Sequence, residues 1–590
     1  MKLQKNLNNL QIAELLRAVA ASYQLKGQDK NRFRITAYQR AADAVEHSTS
    51  ELKDLWDDGK LKDVPAVGES IASHLDELFR TGKSKHFEEV MQGLPAGMFE
   101  LMEVPGIGAK TAFKLVTKMG IKNIRELEKA AKAGKIAKLP GFGDQSQVDI
   151  LKSIQETKGR TRRLLLPYAA SRANEVIEWL LKDKNVERAD PLGSLRRQAA
   201  TVGDIDIAAA SNYAKDVLNH FIAFPKKIRV LEKGEHTASL ILPGDVQVDL
   251  MVQPPKAYGS LLQHFTGSKH HNIALREFAL KQGMSLSEYG IKIKGKLNKV
   301  SSEEDFYKQL GLSWIPPELR EDMGEIEAAQ KNKLPLLLEV NDIKGDLQIH
   351  SNFDIETSHD LGESSIEELT KVANNLGYEY IALTEHNPSR SKHSDEEIIN
   401  LLKKKKEVID KINYSLLSNT FSRIIKVFNS LEIDILPNGE RAIPDSAMGF
   451  LDFALVSIHS SFSLDREQMT KRVLKGLNHP KVKIFAHPTA RKLGEREGIE
   501  LNWSEIFEYC IKKNKYLEIN ADPGRLDLPD TLVKEAIGKG VKLTLGTDAH
   551  HKDGLKNMIF GVSVARRGWA EKTDIINTLS LKEFEKVIQS

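Results

Sequence analysis

The sequence predicts a multidomain chain, α-helical at its N-terminal end and α/β beyond, and three observations carry that reading. Up to about residue 160, apolar residues recur at helical spacing between short Gly/Pro turns, with almost no alternating stretches. From about 185 the texture changes to short β-type runs, at 204–209 and 245–252 among others. After about 340 one design repeats: an apolar strand, a polar cluster, then an amphipathic helix. That alternation predicts an α/β domain with its chemistry at the strand ends. At 590 residues the chain exceeds the roughly 250–300 residues that one core sustains.

Composition narrows the class. Hydrophobic content of 41% and charged content of 28% describe globular material, and no apolar run approaches the roughly 20 residues of a membrane span. A single cysteine, Cys510, excludes an intrachain disulfide framework. Together with an N-terminus lacking a secretory apolar stretch, it predicts a cytoplasmic protein with no membrane partner. A net charge of +4 decides nothing about a nucleic-acid partner, so that question rests on local features. The lysine run 403–406 reads as a solvated helix face. The stretch 314–338, with Pro316-Pro317 and a charged helical segment, reads as the connector between two halves.

Three segments of the helical region share one pattern: VPAVGESIA from Val64, VPGIGAKTA from Val104 and LPGFGDQSQ from Leu139. In each, an apolar residue and a proline lead into a Gly-x-Gly-like turn and a helix start. Glycine lets a partner approach the backbone, and the helix start offers unpaired N–H groups at a positive dipole end. Gly68, Gly106, Gly108, Gly141 and Gly143 are therefore candidate phosphate-backbone contacts. These segments resemble helix-hairpin-helix motifs, which grip DNA without reading its sequence. The first copy departs, with Ala66 where a glycine is usual.

The densest chemistry lies in GSLRRQAATVGDIDIA, 193–208. On a strand, Asp204 and Asp206 leave the same face, and adjacent carboxylates repel unless a divalent cation lies between them. Asp249, in the alternating run VQVDLMV, supplies a third carboxylate from an adjacent strand. Three such ligands sharing two Mg²⁺ ions suit in-line nucleotidyl transfer. Gly193 and Ser194 offer a close backbone approach and a hydroxyl, and Arg197 a fork for phosphate oxygens.

From Arg34 to about Ala329 the chain resembles the family X DNA polymerases. The likeness is carried by FRITAYQRAA at 33–42, the hairpins, GSLRR followed by GDID, and HFTGSKHHN at 264–272. The resemblance implies that Asp204, Asp206 and Asp249 are the metal ligands of the nucleotidyl-transfer centre, and that Ser194 and Arg197 hold a dNTP triphosphate. It implies that Phe265, Thr266 and Gly267 form the sugar-sensing segment, with Asn272 and Arg276 contacting base and template. His264 stands in place of a tyrosine, and Met251 in place of an arginine. His74 occupies the position of the family's Schiff-base lysine, so lyase activity by that route is expected to be weak or absent. Arg34, Tyr38 and Lys83 are candidates for a 5′-phosphate in a gap.

Beyond 340 the apolar runs end in ligand-type residues: His350, His386, Glu432, His459, His487, and then Asp548 with His550. Parallel α/β barrels gather functional groups at C-terminal strand ends, and mixed imidazole and carboxylate donors suit Zn²⁺, Mn²⁺ or Fe²⁺. Metal-activated water there implies phosphoester hydrolysis. From Gly345 onward the blocks GDLQIHS, IALTEH, EIDILPNG, VSIHSSF, FAHPTAR, LEINADPGRLDLPD and GTDAHH resemble the polymerase and histidinol phosphatase (PHP) domain. The resemblance implies a distorted seven-stranded α/β barrel with up to three Mn²⁺ or Zn²⁺ ions and 3′–5′ exonuclease activity. Gln348 stands where that family has the first histidine of H-x-H, and Glu385 where it has aspartate. His359, with Glu356 and Asp360 as rivals, is the candidate for the ligand otherwise supplied by an S-D-G aspartate.

The expected organisation is an N-terminal helical DNA-binding domain (1–90), a helix-hairpin-helix domain (91–160), a nucleotidyltransferase palm with a mixed sheet (161–260) and a nucleotide-selection domain (261–320). A linker (321–342) and the PHP domain (343–590) follow. The expected function is a monomeric, gap-filling repair polymerase acting on DNA and dNTPs, with an exonuclease or phosphoesterase in the same chain. The alternative is a polymerase whose PHP domain is a catalytically impaired scaffold or DNA-docking module.

Overall fold

The computed structural model describes residues 9–589 except 28, 47–51, 58, 65, 96, 103, 105–106, 140–141, 159–162, 245 and 419–425. The chain divides into two compact units. One comprises 1–183, 202–207 and 215–251, and the other 184–201, 208–214 and 252–590.

The first unit opens with helices, as the spacing predicts. One core gathers Leu16, Val19, Tyr38, Leu75 and Phe87. A second gathers Leu101, Val104, Ala112, Leu115, Leu127 and Ile154. Among the described residues the hairpin segments share one turn bond, from Val67 N to Val64 O (3.1 Å), Ile107 N to Val104 O (3.0 Å) and Phe142 N to Leu139 O (2.9 Å). A sheet follows, in the order β1 (Ile205–Ala210), β4 (Val246–Gln253), β3 (Thr237–Leu242), β2 (Arg229–Lys233). β4 shows why it forms: Val246, Val248, Leu250 and Val252 are buried, while Gln247, Asp249 and Met251 take the other face. β3 and β4 pair antiparallel, with Ser239 opposite Asp249.

In the second unit, helices Tyr258–Thr266 and Lys269–Leu280 precede a small antiparallel sheet within 284–298. The connector is tightly packed rather than a loose spacer. Arg320 is fully buried, donating to Glu303 (2.6 Å) and to Ile315 O (2.9 Å), and Glu325 is buried against His271 (2.6 Å).

Eight parallel strand segments follow: β5 (Gly345–Ile349), β6 (Tyr380–Leu383), β7 (Lys426–Asn429), β8 (Glu432–Asp434), β9 (Ala454–Ser457), β10 (Val482–Phe485), β11 (Tyr516–Asn520) and β12 (Leu543–Gly546). Helices separate them except between β7 and β8, which only 430–431 part. They form two sheets, β5-β6-β7 and β8 through β12 in sequence order. All but the ends of β7, β8 and β11 are wholly buried, as helix-covered parallel strands must be. Single parallel bridges, His386 to Glu432 and Ile349 to Ala549, join the sheets at both seams. Leu383 opposite Asn429 and His386 opposite Glu432 keep one register, so β7 and β8 are one interrupted strand and the strands number the seven that the sequence reading expected; they curl toward closure through isolated bridges.

One surface expectation fails. In helix Asp395–Ser418, Lys405 is fully buried, paired with Glu385 and donating to Leu383 O (3.0 Å) and Ser430 O (2.5 Å). The lysine run is therefore solvated on only part of its circumference, because strand-end carbonyls draw one lysine inward.

Candidate metal centres and nucleotide site

Asp204 stands on the bend just before β1, Asp206 lies within β1 and Asp249 lies on β4. Ligand oxygens of all three fall within 4.8 Å of one another. Burial, and then the charges of Asp204 and Asp249, push the Asp206 carboxyl up to about 7. Gln247 Nε2 donates to both Asp249 oxygens (3.1 and 3.0 Å) and so steadies that carboxylate. Clustered carboxylates with so much mutual repulsion fit a divalent cation.

Gly193 starts the short helix Gly193–Arg196 at φ 56°, which favours glycine. Ser194 lies in the same turn, half-buried. Arg197 donates through Nη1 to Thr266 O (2.6 Å), and Arg196 through Nη1 to Thr266 Oγ1 (2.5 Å). Gly267 has φ 65°, and a Cβ there would lie 3.2 Å from Arg197 Nη1. The loop 193–198 and the segment Thr266–Gly267 are therefore one assembly. Phe265 packs edge-on against His264 (4.8 Å between centroids). Asn272 Nδ2 donates to His264 O (2.7 Å), and Arg276 Nη2 lies 3.4 Å from His264 Nδ1. His264, unplaced in function by sequence, thus organises both residues.

Of the hairpin glycines, Gly68 and Gly108 are N-caps of helices Glu69–Thr81 and Ala109–Met119, and Gly143 directly precedes Asp144–Lys158. A Cβ added at any of the three would meet nothing within 4 Å, leaving room for a close partner. Gly106 and Gly141 lie outside the described residues. Ala66 adopts φ 60°, the conformation that glycine would take at least cost. Arg34 lies over the Tyr23 ring (5.5 Å), and Tyr38 stacks on Tyr23 (5.9 Å) with its ring buried. Lys83 pairs loosely with Glu88 (3.6 Å), and His74 stacks on His86 (4.1 Å).

At the strand ends of the second unit a cage forms around Glu432. His487 Nε2 lies 2.8 Å from Glu432 Oε1, and His459 Nε2 lies 3.4 Å from it. His350 Nε2 and His386 Nδ1 each lie 3.4 Å from Glu432 Oε2. Burial opposes the Glu432 charge, but the surrounding His386, His459 and His487 rings hold its carboxyl well below the usual range. His350 also meets Asp548 (3.1 Å), and His550 packs on His350 (4.3 Å). Four overlapping groups have ligand atoms within 4.8 Å: His350/His386/His550, His359/Asp434/His459, His386/Glu432/His459 and His350/Glu432/Asp548. Ring nitrogens His350 Nδ1, His386 Nδ1, His487 Nδ1 and His550 Nε2 are buried without a hydrogen bond among the described residues, which fits metal ligation.

Sequence reasoning missed Asp434, which meets His359 (3.0 Å) and His459 (2.7 Å). Its signal was present: Glu432 and Asp434 repeat the same-face spacing of Asp204 and Asp206. Of the rivals to His359, Asp360 stands 3.6 Å from His386 and 3.8 Å from His550, whereas Glu356 pairs with His393 (2.9 Å). Gln348 Nε2 donates to Glu432 Oε2 (3.0 Å), and its Oε1 accepts from Asn520 (3.2 Å). Asn520 also donates to Asp548 Oδ2 (3.1 Å), with Arg525 Nε 3.5 Å from the same oxygen. Proton donors thus occupy the corner that a histidine ligand would have opened.

An acidic trio beside one sheet and an imidazole–carboxylate cage at parallel strand ends define a metal-dependent enzyme with two kinds of centre. Family models match along the chain: a helix-hairpin-helix domain (7–84), a SAM-like helix-hairpin-helix tandem (99–156), the DNA polymerase beta thumb (261–321) and the PHP domain (346–522). The chain is 32% identical over 582 residues to the DNA polymerase/3'-5' exonuclease PolX of Bacillus subtilis (strain 168), covering 98% of this chain and 99% of that protein. DNA polymerase lambda of Rattus norvegicus is 24% identical over 346 residues, 53% of this chain and 56% of its own length. The DNA nucleotidylexotransferase of Xenopus laevis is 23% identical over 330 residues, 49% and 64% respectively. The chain belongs to the family X DNA polymerases that carry a C-terminal PHP domain. No described helix is long and apolar enough to cross a membrane.

Proposed function

We propose that this polymerase fills short gaps during DNA repair and that its PHP domain trims 3′ ends by phosphoester hydrolysis, the activity named in its Bacillus relative. The convergence of Asp204, Asp206 and Asp249 carries the first part. Two Mg²⁺ ions there would activate the primer hydroxyl and steady the leaving pyrophosphate. Arg197 and Ser194 hold the triphosphate, Phe265, Thr266 and Gly267 sense the sugar, and Asn272 and Arg276 reach base and template. The hairpin glycines and Arg34 grip the phosphate backbone, so binding weakens steeply as salt rises. We assign the helical DNA-binding regions to 1–90 and 91–160, the palm to 161–260, nucleotide selection to 261–320, the linker to 321–342 and the hydrolase to 343–590. The protein works as a cytoplasmic monomer.

For the hydrolase, His350, His359, His386, Glu432, Asp434, His459, His487, Asp548 and His550 hold Mn²⁺ or Zn²⁺, with His487 also orienting Glu432 through Nε2. Gln348 favours fewer than three ions, because its amide hydrogen fills a Glu432 lone pair that a further cation would need. One gapped duplex, assayed for extension and degradation with Mg²⁺ and with Mn²⁺, tests the whole reading. Extension with either metal and Mn²⁺-stimulated loss of 3′ nucleotides are expected. Failure to incorporate any dNTP overturns the first part; an intact 3′ end in Mn²⁺ overturns the second and favours the scaffold.

A further inference from the structure

The helix Met558–Arg567 of the PHP region ends in two arginines whose contacts lead away from the hydrolase cage. Arg567 is one-tenth exposed and forks onto two carboxylates: its Nη2 lies 2.6 Å from Asp530 Oδ2, and its Nη1 lies 3.0 Å from Glu321 Oε1. The same Nη1 donates to Arg197 O (2.8 Å). Glu321 Oε1 in turn accepts from Arg197 Nε (2.9 Å), and Arg197 Nη1 holds Thr266 O (2.6 Å). One helix turn earlier, Ser563 Oγ donates to Gln198 Oε1 (3.2 Å). The string Asp530–Arg567–Glu321–Arg197 thus alternates in charge from a hydrolase helix and ends on the Thr266 carbonyl, in the segment expected to receive a nucleotide.

We propose that Arg567 is a positioning residue for nucleotide binding by the polymerase, acting through Glu321 on Arg197. Glu321 shared between two guanidinium groups leaves Arg197 only partly neutralised. Its Nε and one Nη1 hydrogen serve protein acceptors, and its remaining N–H groups are left for phosphate oxygens. Without Arg567 the whole charge of Glu321 falls on Arg197, its backbone loses a donor at the carbonyl, and the attraction for a triphosphate weakens. The PHP domain then serves synthesis even where it does not cut.

This inference rests on Arg197 holding the triphosphate, so Arg197→Ala accompanies the test. In the full chain, Arg567→Met is expected to raise the dNTP KM about tenfold while kcat stays within about threefold and Mn²⁺-dependent degradation is unchanged. Adding Glu321→Gln to Arg567→Met removes the orphaned charge and is expected to bring KM most of the way back down, a recovery that a merely structural role would not give. If Arg567→Met does not fold, Arg567→Lys, which keeps the charge but loses the fork, is expected to raise KM about threefold. A folded variant with unchanged dNTP KM, or no recovery in the double variant, overturns the proposal. If Arg197→Ala itself leaves KM unchanged, it is the triphosphate reading that fails.

Discussion

Lys405→Met is a severe test of how the hydrolase cage is held. Lys405 is fully buried and ties Leu383 O, at the end of β6, to Ser430 O, just before β8, while pairing with Glu385. His386 and Glu432 follow those carbonyls closely in sequence. Burial lowers the Lys405 pKa against the opposing charge of Glu385. Removing Lys405 strands a buried carboxylate, at a cost of about 3–5 kcal/mol. For a domain of this size about 1 kcal/mol moves Tm by roughly 2–4 °C, so calorimetry should find the PHP transition lowered by about 6–20 °C. Adding Glu385→Gln should recover most of that Tm. Degradation should stay depressed at temperatures where both variants are folded, because the strand ends have lost their common tie. Unchanged Tm in the single variant, or full hydrolytic activity in the double variant, would show that Lys405 does not tie the strand ends.

Further expectations follow from the two centres. Gln348→His replaces a proton donor by a ligand, so mass spectrometry of Mn²⁺- or Zn²⁺-loaded protein should count one more ion per chain; an unchanged count contradicts the role given to Gln348. Asp434→Ala should remove an ion and depress degradation while leaving primer extension intact. Because Asp206 titrates at about 7, protons compete with Mg²⁺ below that pH, and apparent Mg²⁺ affinity should fall about tenfold from pH 8 to pH 6. The sign is opposite for stability of the metal-free protein: a raised carboxyl favours folding at low pH, and that contribution is lost as pH rises through about 7. Affinity flat across that range, measured by titration calorimetry, would argue against the Asp206 environment.

Much of the site was legible because strand geometry is local. The alternation 246–252 presented Asp249 on a strand and the run from Ile205 presented Asp206, whereas Asp204 stands on the bend before β1 and joins them by the turn of the chain there rather than by strand alternation. The histidines after apolar runs were legible for the same reason. What escaped depended on contacts remote in sequence. Asp434 carried the same-face spacing with Glu432, but its partners His359 and His459 come from other segments, and Lys405 is drawn inward by carbonyls of two further ones. The Arg567 string joins residues hundreds of positions apart and leaves no periodic trace. His264 looked like a departure from a family tyrosine, yet its backbone and ring organise Asn272 and Arg276.

Synthesis and degradation are assigned to different ligand sets within one chain. Asp249→Ala and His459→Ala, each assayed on the same gapped duplex in Mn²⁺, test that assignment directly. Asp249→Ala is expected to abolish extension and keep degradation, and His459→Ala to do the reverse. Loss of both activities from one substitution in a folded protein would contradict it.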